Sequence, residues 1–331
     1  MKSLFLLLVP LACAHKALKS STQSSAFGSI AYDDLGSPNT HIKHVLFMNS
    51  LTTDGILAIK SVPGLADARR DAFAAVQACL AKSPKGKFLD ANNEPSLTVE
   101  TLADGTMRQS IGTQVKSGNE HADISNDLFK ACPGLEKPVE TLRETVDKVS
   151  TQLMSALDGS LLPPTSSANA PLFHDYEYAS SSGKSGTFWK GFSEAAQGAT
   201  QLEHFYSYTP IDSVNTNKTL NYHTDAGLFL LFVPAWYSHD PLDLSPLGGD
   251  FKYLDKTGAE RTIVTRSASS TAFTSADTDV VSEDSLIMMV GKGAEEYLAP
   301  ALGERGLKMR AVPHALTVAR AADGQTFSRN W

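Results

Sequence analysis

The sequence predicts an α+β fold: a double-stranded β-helix (jelly-roll) core with flanking helices. Two patterns carry the expectation. Apolar residues recur at helical spacing in the first half of the chain, and from residue 202 onward short strand-like runs alternate with turn residues. Composition agrees with a folded core: 331 residues, 42% hydrophobic and 20% charged, is an ordinary globular balance. The net charge of −7, with no dense Lys/Arg cluster, disfavours nucleic acid as a partner.

The chain opens on a pattern of export. Met1-Lys2 is a short positive start, Leu4 to Leu11 an apolar run, and Ala12-Cys13-Ala14 a small-x-small cleavage pattern. Residues 1–14 are therefore expected to be a signal peptide, and the protein secreted or lumenal; the alternative is a buried N-terminal strand. The run is too short to span a bilayer, which takes roughly 20 residues. No later apolar stretch is long enough for a membrane span. Once the signal is removed, Cys79 and Cys132 remain, free either to pair in an oxidising lumen or to stay as buried thiols. The sequon Asn217-Lys218-Thr219 fits a secreted chain.

Residues 15–165 read as an N-terminal mixed α/β region. After a Ser-rich stretch, His44 to Met48 is expected to form a first strand and Leu57 to Ile59 a second, closed by Pro63-Gly64. Leu65, Ala68, Ala72, Phe73, Val76 and Leu80 then fall on one helical stripe. A second helix follows Pro133-Gly134, with Pro138 near its first turn. Its stripe of Val139, Leu142, Val146, Val149, Leu153 and Leu157 stops at Asp158-Gly159 and Pro163-Pro164. Both stripes read as packing.

Residues 166–331 read as the jelly-roll core. Ala179 to Gly198, rich in Gly, Ser and Ala, is expected to be a loop. Strands are expected at Leu202 to Tyr208, Leu228 to Val233, Phe251 to Leu254, Arg261 to Thr265, Leu286 to Val290 and His314 to Val318. Between them lie Pro210, Gly248-Gly249, Lys256-Thr257-Gly258 and Asp323-Gly324.

Leu220-Asn221-Tyr222-His223-Thr224-Asp225-Ala226-Gly227 is the informative stretch. Residues two apart on a strand share a face, so His223 and Asp225 can hold one ion together. A third ligand must come from elsewhere, and His314 lies on a later strand. Two imidazoles and one carboxylate on one face of a metal leave its other positions open, which suits non-haem Fe(II) activating dioxygen.

The surrounding text resembles the 2-oxoglutarate-dependent oxygenases, the family of the plant dioxygenases and isopenicillin N synthase. The matching order is His204-Phe205-Tyr206-Ser207-Tyr208-Thr209-Pro210; then His223-Thr224-Asp225 with the Leu-rich Leu228-Phe229-Leu230-Leu231; then the strand pair Gly249 to Leu254 and Ala259 to Val264; then Glu283-Asp284-Ser285-Leu286; then Val312-Pro313-His314-Ala315-Leu316. The resemblance implies Fe(II) held by His223, Asp225 and His314. It also implies 2-oxoglutarate as co-substrate, decarboxylated to succinate while dioxygen oxidises a small organic molecule. The family holds the distal carboxylate of 2-oxoglutarate with an arginine after the second histidine, a planar cation suited to bidentate contact. Arg320 lies six positions beyond His314 and Arg329 fifteen. A hairpin turning at Ala321 to Gly324 would set Arg329 opposite Thr317 or Leu316, which favours Arg329. Tyr206 matches a tyrosine that contacts the co-substrate, or is an aromatic inside the barrel. Trp331 stands where the family has a serine.

Alternatives stay open at this level: an inactive jelly-roll binding or structural protein of the same ancestry, and an iron oxygenase that needs no 2-oxoglutarate. Ser267 to Val280 and Leu298 to Lys308 lengthen the path from Asp225 to His314 and read as surface insertions or a lid. His174-Asp175 and His239-Asp240 read as surface polar pairs, His41 and His44 offer a second, weaker metal pair near the start of the chain, and Gly291-Lys292-Gly293 reads as a turn.

Overall fold

The computed structural model describes residues 27–37, 40–90, 93–116, 124–161, 191–198, 200–209, 218–237, 251–266, 277–298, 308–318 and 329–330. In chain order the elements begin with β1 (Gly28–Ala31), α1 (Tyr32–Leu35), α2 (Thr40–Asn49), a π-helical turn (Ser50–Asp54), β2 (Ile56–Lys60) and α3 (Leu65–Ala81). Next come β3 (Leu97–Thr101), β4 (Met107–Lys116), α4 (Asn126–Ala131), α5 (Glu136–Leu161) and α6 (Phe192–Gly198). The strand-rich part holds β5 (Thr200–Thr209), β6 (Leu220–His223), β7 (Phe229–Phe232), β8 (Trp236–Tyr237), β9 (Phe251–Leu254), β10 (Glu260–Arg266) and β11 (Thr278–Ser282). It closes with β12 (Leu286–Val290), α7 (Lys292–Tyr297), β13 (His314–Leu316) and β14 (Arg329–Asn330).

The strands form three sheets, in the orders β1-β2-β12-β7, β11-β10-β9-β13-β6 and β3-β4-β5-β14-β8. β12, Leu-Ile-Met-Met-Val, is buried at every position. Its apolar run fits a strand covered on both faces. Leu286, Met288 and Val290 join the helical core of Phe47, Phe73, Val76, Leu153 and Leu157. Ile287 and Met289 point the other way, into a second core with Phe251, Tyr253, Ile263, Val281 and Val312. The first sheet is thus a wall between helices and the second sheet. The third sheet meets the second through Tyr206, Tyr208, Leu220, Leu316 and Val318.

Strands from before and after residue 165 share sheets: β2 pairs with β12, and β4 with β5 over ten residues. Buried cations reinforce these joins. Arg69 of α3, only 2% exposed, donates to Pro234 O at 2.8 Å, Ala235 O at 3.0 Å and Glu283 at 3.1 Å. Arg143 of α5 pairs with Glu203 of β5. Gly55 supplies the left-handed residue (φ +72°) that turns the π-helical segment into β2.

Three expectations are corrected. His44 to Met48 lies within α2, not a strand. Its buried positions Lys43 and Phe47, continued by Ser50 and Leu51 of the π-helical turn, follow the helical repeat, while Ile42 and Val45 stay exposed and blur the stripe. The end of the Ala179 to Gly198 stretch is α6, whose first N–H groups are accepted by Asp158 of α5: Phe192 N–H at 2.6 Å and Ser193 N–H at 3.0 Å. The last residues of the expected insertion, from Thr278, belong to β11, parallel to β10; 267–276 and 299–307 lie outside the described residues. Among the described residues no helix is long and apolar enough to cross a membrane.

Cys79 at the end of α3 is disulfide-bonded to Cys132 after α4, and both are buried. The bond closes a separation of 53 residues. Loop-closure entropy assigns a loop of that size about 4 kcal/mol. Reduction, or the double variant Cys79→Ser/Cys132→Ser, is expected to lower the unfolding free energy by about 2–4 kcal/mol. The urea midpoint reads this; an unchanged midpoint would show that the bond is not formed in solution.

Candidate metal centre

β6 ends at His223 and β13 begins at His314, and the two residues are direct antiparallel partners. On its other side His314 pairs with Tyr253 of β9. Asp225 follows β6 on the loop into β7. The rings of His223 and His314 stand 4.4 Å apart at 54°. His314 Nε2 lies 3.6 Å from Asp225 Oδ2, and His223 Nε2 lies 4.0 Å from Asp225 Oδ1. One donor atom from each residue falls within 4.8 Å of the others, and this is the only such cluster of His, Cys, Asp and Glu among the described residues. An ion about 2.0–2.2 Å from each donor would hold them about 3–4 Å apart. The residues present therefore fit a single divalent ion, with small side-chain adjustment.

The strands prepare each ligand. His223 Nδ1–H donates to Asn221 O at 2.8 Å, and His314 Nδ1–H donates to Val312 O at 3.1 Å. Both contacts fix the ring and leave Nε2 with a lone pair facing the cluster. His314 is buried and stacks on Phe251, with centroids 5.1 Å apart and 19° between planes. Burial holds its pKa below the ordinary value, and His223 adds to this while the Val312 carbonyl and Asp225 oppose it. A neutral imidazole is the form that ligates. His223 and Asp225 are 45% and 36% exposed at their side chains, so the cluster is backed by the sheet and open opposite it.

Neighbouring contacts lock the strands that carry the ligands. Thr219 Oγ1 donates to Asp104 Oδ2 at 2.8 Å and accepts the Val318 N–H at 3.0 Å, joining the β3–β4 turn to β6 and β13. Arg310 donates to Asp54 O, Leu254 O and Asp255 O, each at 2.8 Å, and so steadies the approach to β13. On the outer face of β6, Tyr222 donates to Glu260 at 2.7 Å, and Lys252 and Lys218 also reach Glu260.

Tyr206 lies on β5 and packs with Leu220 and Leu316 between the second and third sheets. Its phenol pKa is raised chiefly by burial, with Asp225 and Glu100 adding to the shift and Arg108 opposing it. Its ring stacks on His204 (5.3 Å, 18°), and the Arg108 guanidinium sits 5.4 Å from its centroid. Arg108 is ion-paired with Glu100. One rung of the third sheet runs Glu100, Arg108, Tyr208, Arg329, Tyr237. This corrects the hairpin expectation: Arg329 is opposite Tyr208 and Tyr237, not Thr317 or Leu316, because β14 joins the third sheet and β13 the second. Arg320, Trp331 and the side chain of Arg329 lie outside the described residues.

Arg108 and Glu100 were missed in the sequence. The signal that could have found them is Asp104-Gly105, a hairpin dipeptide. Gly105 takes φ +84°, and Asp104 accepts the Thr106 N–H at 2.9 Å. Of the other titratable groups, His44 Nδ1–H donates to Ser160 O at 2.6 Å and ties α2 to α5. His174-Asp175, His239-Asp240 and the His41 side chain lie outside the described residues.

No family model and no curated protein sequence matches the chain. Solved structures do share its fold. A putative 2OG-Fe(II) oxygenase family protein from Caulobacter crescentus aligns at TM-score 0.56 and 12% identity, over 93% of this chain and 87% of that one. A dioxygenase for auxin oxidation from rice aligns at TM-score 0.54 and 12% identity, over 92% and 81%. A full-length Neurospora crassa protein in complex with alpha-KG and 5-formyluracil aligns at TM-score 0.53 and 12% identity, over 92% and 83%.

The Glu260 network makes a pH prediction. Hydrogen bonds from Lys252 and then Tyr222 lower the Glu260 pKa from 4.5 to about 2. A depressed carboxylate pKa contributes stability above the unfolded value, and that contribution is lost as pH falls through the folded value. The stability gap between the native protein and Glu260→Gln is expected to be constant above pH 5 and to close between about pH 4.5 and 2. Because the pair is exposed, the gap is small. Urea melts across that range read it; a gap unchanged at pH 2.5 would sink the assignment.

Proposed function

We propose that the chain is a non-haem iron oxygenase, built on a double-stranded β-helix core. It couples oxidative decarboxylation of 2-oxoglutarate to hydroxylation or desaturation of a small organic substrate. The observation that carries the reading is the convergence of His223 and His314, on two neighbouring strands, with Asp225 on the loop that follows the first. His223 and His314 would supply neutral Nε2 donors and Asp225 one carboxylate oxygen, a facial set that leaves open positions. Iron(II) held there would supply dioxygen activation, with 2-oxoglutarate as the two-electron co-reductant. One oxygen atom would go to succinate as carbon dioxide is lost, and the other to the hydroxylated product or, in a desaturation, to water. Structures of shared fold include one described as a 2OG-Fe(II) oxygenase family protein and one in complex with alpha-KG.

The chain's own residues bind, orient and exclude water. Arg329 is the proposed clamp for the distal carboxylate, with Arg320 the alternative. β14 lies beside β5, which carries Tyr206, so Arg329 and Tyr206 are on adjacent strands. Tyr206 remains a phenol at neutral pH and can donate its O–H toward the co-substrate. Phe251 and the second core keep water from the back of His314. We also place the protein in a secretory lumen or outside the cell, because a buried disulfide suits an oxidising compartment.

The decisive assay is anaerobic iron titration, followed by succinate release from 2-oxoglutarate without added substrate. The native protein is expected to bind one iron and release succinate, and Asp225→Ala and His314→Ala to lose both. Iron binding and dioxygen uptake without succinate would favour an oxygenase independent of 2-oxoglutarate, and no iron binding would favour an inactive relative. Losing a bidentate charge-assisted contact removes about 1.5–3 kcal/mol, so Arg329→Ala should raise the KM for 2-oxoglutarate about 10–100-fold. Arg320→Ala should leave that KM unchanged; the opposite pattern would move the role to Arg320.

A further inference from the structure

The segment leaving the central strand β12 grips the loop that carries Asp225. Three consecutive N–H groups donate to it: Gly291 to Leu228 O at 2.9 Å, Lys292 to Asp225 O at 2.7 Å and Gly293 to Gly227 O at 3.1 Å. The first of these continues the β12–β7 ladder one step beyond its last pair, Val290 with Phe229. The same strand end also holds the distal histidine. Val290 O accepts the Val312 N–H at 3.2 Å, and Val312 O accepts His314 Nδ1–H at 3.1 Å. Positions 290–293 therefore contact both the Asp225 and His314 sides of the cluster through backbone alone.

The two glycines are needed for room rather than for conformation. Gly291 has φ −90° and ψ 171°, which any residue adopts. Yet a Cβ there would meet Gly227 O at 2.2 Å and Asp225 O at 3.1 Å. At Gly293 a Cβ would meet Ala226 O at 2.7 Å and Gly227 O at 3.0 Å. Every one of these neighbours is backbone of the Asp225 loop, so a methyl group can be accommodated only if that loop moves. The Lys292 side chain is turned to solvent, paired with Glu295 and Glu296, and takes no part.

We propose that Gly291-Lys292-Gly293 is a backbone clamp that sets Asp225 against His314, with Gly291 and Gly293 as positioning residues of the metal centre. The inference rests on the proposed metal-binding role of His223, Asp225 and His314. A rigid loop keeps the carboxylate near the imidazoles before an ion arrives, so less ordering is needed on binding. Displacing the loop costs affinity without removing a ligand.

The test is titration of the full chain with cobalt(II), followed by visible absorption, alongside far-UV circular dichroism. Gly291→Ala and Gly293→Ala should remain folded, bind cobalt(II) about 10–100-fold more weakly and show an altered ligand-field band. Gly159→Ala, on α5 with no atom within 4 Å of the added carbon, should match the native protein in affinity and band. Folded alanine variants with native affinity and an unaltered band would overturn the clamp while leaving the metal site standing. No cobalt(II) binding by the native protein would overturn the metal site and the clamp together. Should the variants not fold, hydrogen exchange of the native protein decides. Cobalt(II) should slow exchange of the 291–293 amides, and exchange unaltered by the ion would overturn the clamp.

Discussion

The direct pairing of His223 with His314 across two antiparallel strands is the constraint on which the rest of the site depends. Neighbouring strands bring directly opposed side chains to about 4.5–5.5 Å at Cβ, close enough for two imidazoles to face one cation. A slip of one residue would send one ring to the opposite face of the sheet. The ladder is irregular here, shifting register between the His314 pair and the Leu316–Leu220 pair. An irregular ladder needs outside help to hold one register, and the surroundings give it. Thr219 bonds to both Asp104 and Val318, Glu260 gathers Tyr222, Lys218 and Lys252, and Arg310 binds three carbonyls near the start of β13.

Burial divides the work among the three ligands. His314 lies against Phe251 in the second core, where a charged ring would be disfavoured, so packing and ligation ask for the same neutral imidazole. Asp225 and His223 are partly exposed. The anionic ligand therefore avoids the full desolvation cost of a buried carboxylate while no ion is bound. On the third sheet, His204 stacks on Tyr206 and the Arg108 guanidinium sits over the Tyr206 ring.

What the sequence disclosed follows from how local each signal is. The expectation that His223 and Asp225 share one strand is corrected in part: β6 ends at His223 and Asp225 stands on the loop beyond it, yet both side chains still converge with His314. Leu286 to Val290 forms the expected strand as β12. The β3–β4 hairpin was not legible by alternation, because β3 is largely exposed and its pattern carries little contrast. α2 was misread because five apolar or aromatic residues in a row satisfy either period, and Ile42 and Val45 face outward against the pattern. Arg329 was placed in the wrong pairing for a different reason. Which sheet a terminal strand joins is a long-range choice, and β14 leaves the sheet of β13 to lie between β5 and β8.

The same locality bears on how the three candidate ligands are positioned. Each histidine donates Nδ1–H to the carbonyl two residues before it in sequence, Asn221 on β6 and Val312 just ahead of β13. Extended backbone alone creates that contact, so ring orientation and the free Nε2 need no particular partner from the rest of the chain. Asp225 has no such local device. It stands beyond the end of β6, and its main-chain carbonyl accepts the N–H of Lys292 at the start of α7, 67 residues away in sequence. The histidines are therefore placed by secondary structure and the carboxylate by tertiary structure. Of the three, Asp225 is the ligand whose position depends most on residues that touch no metal.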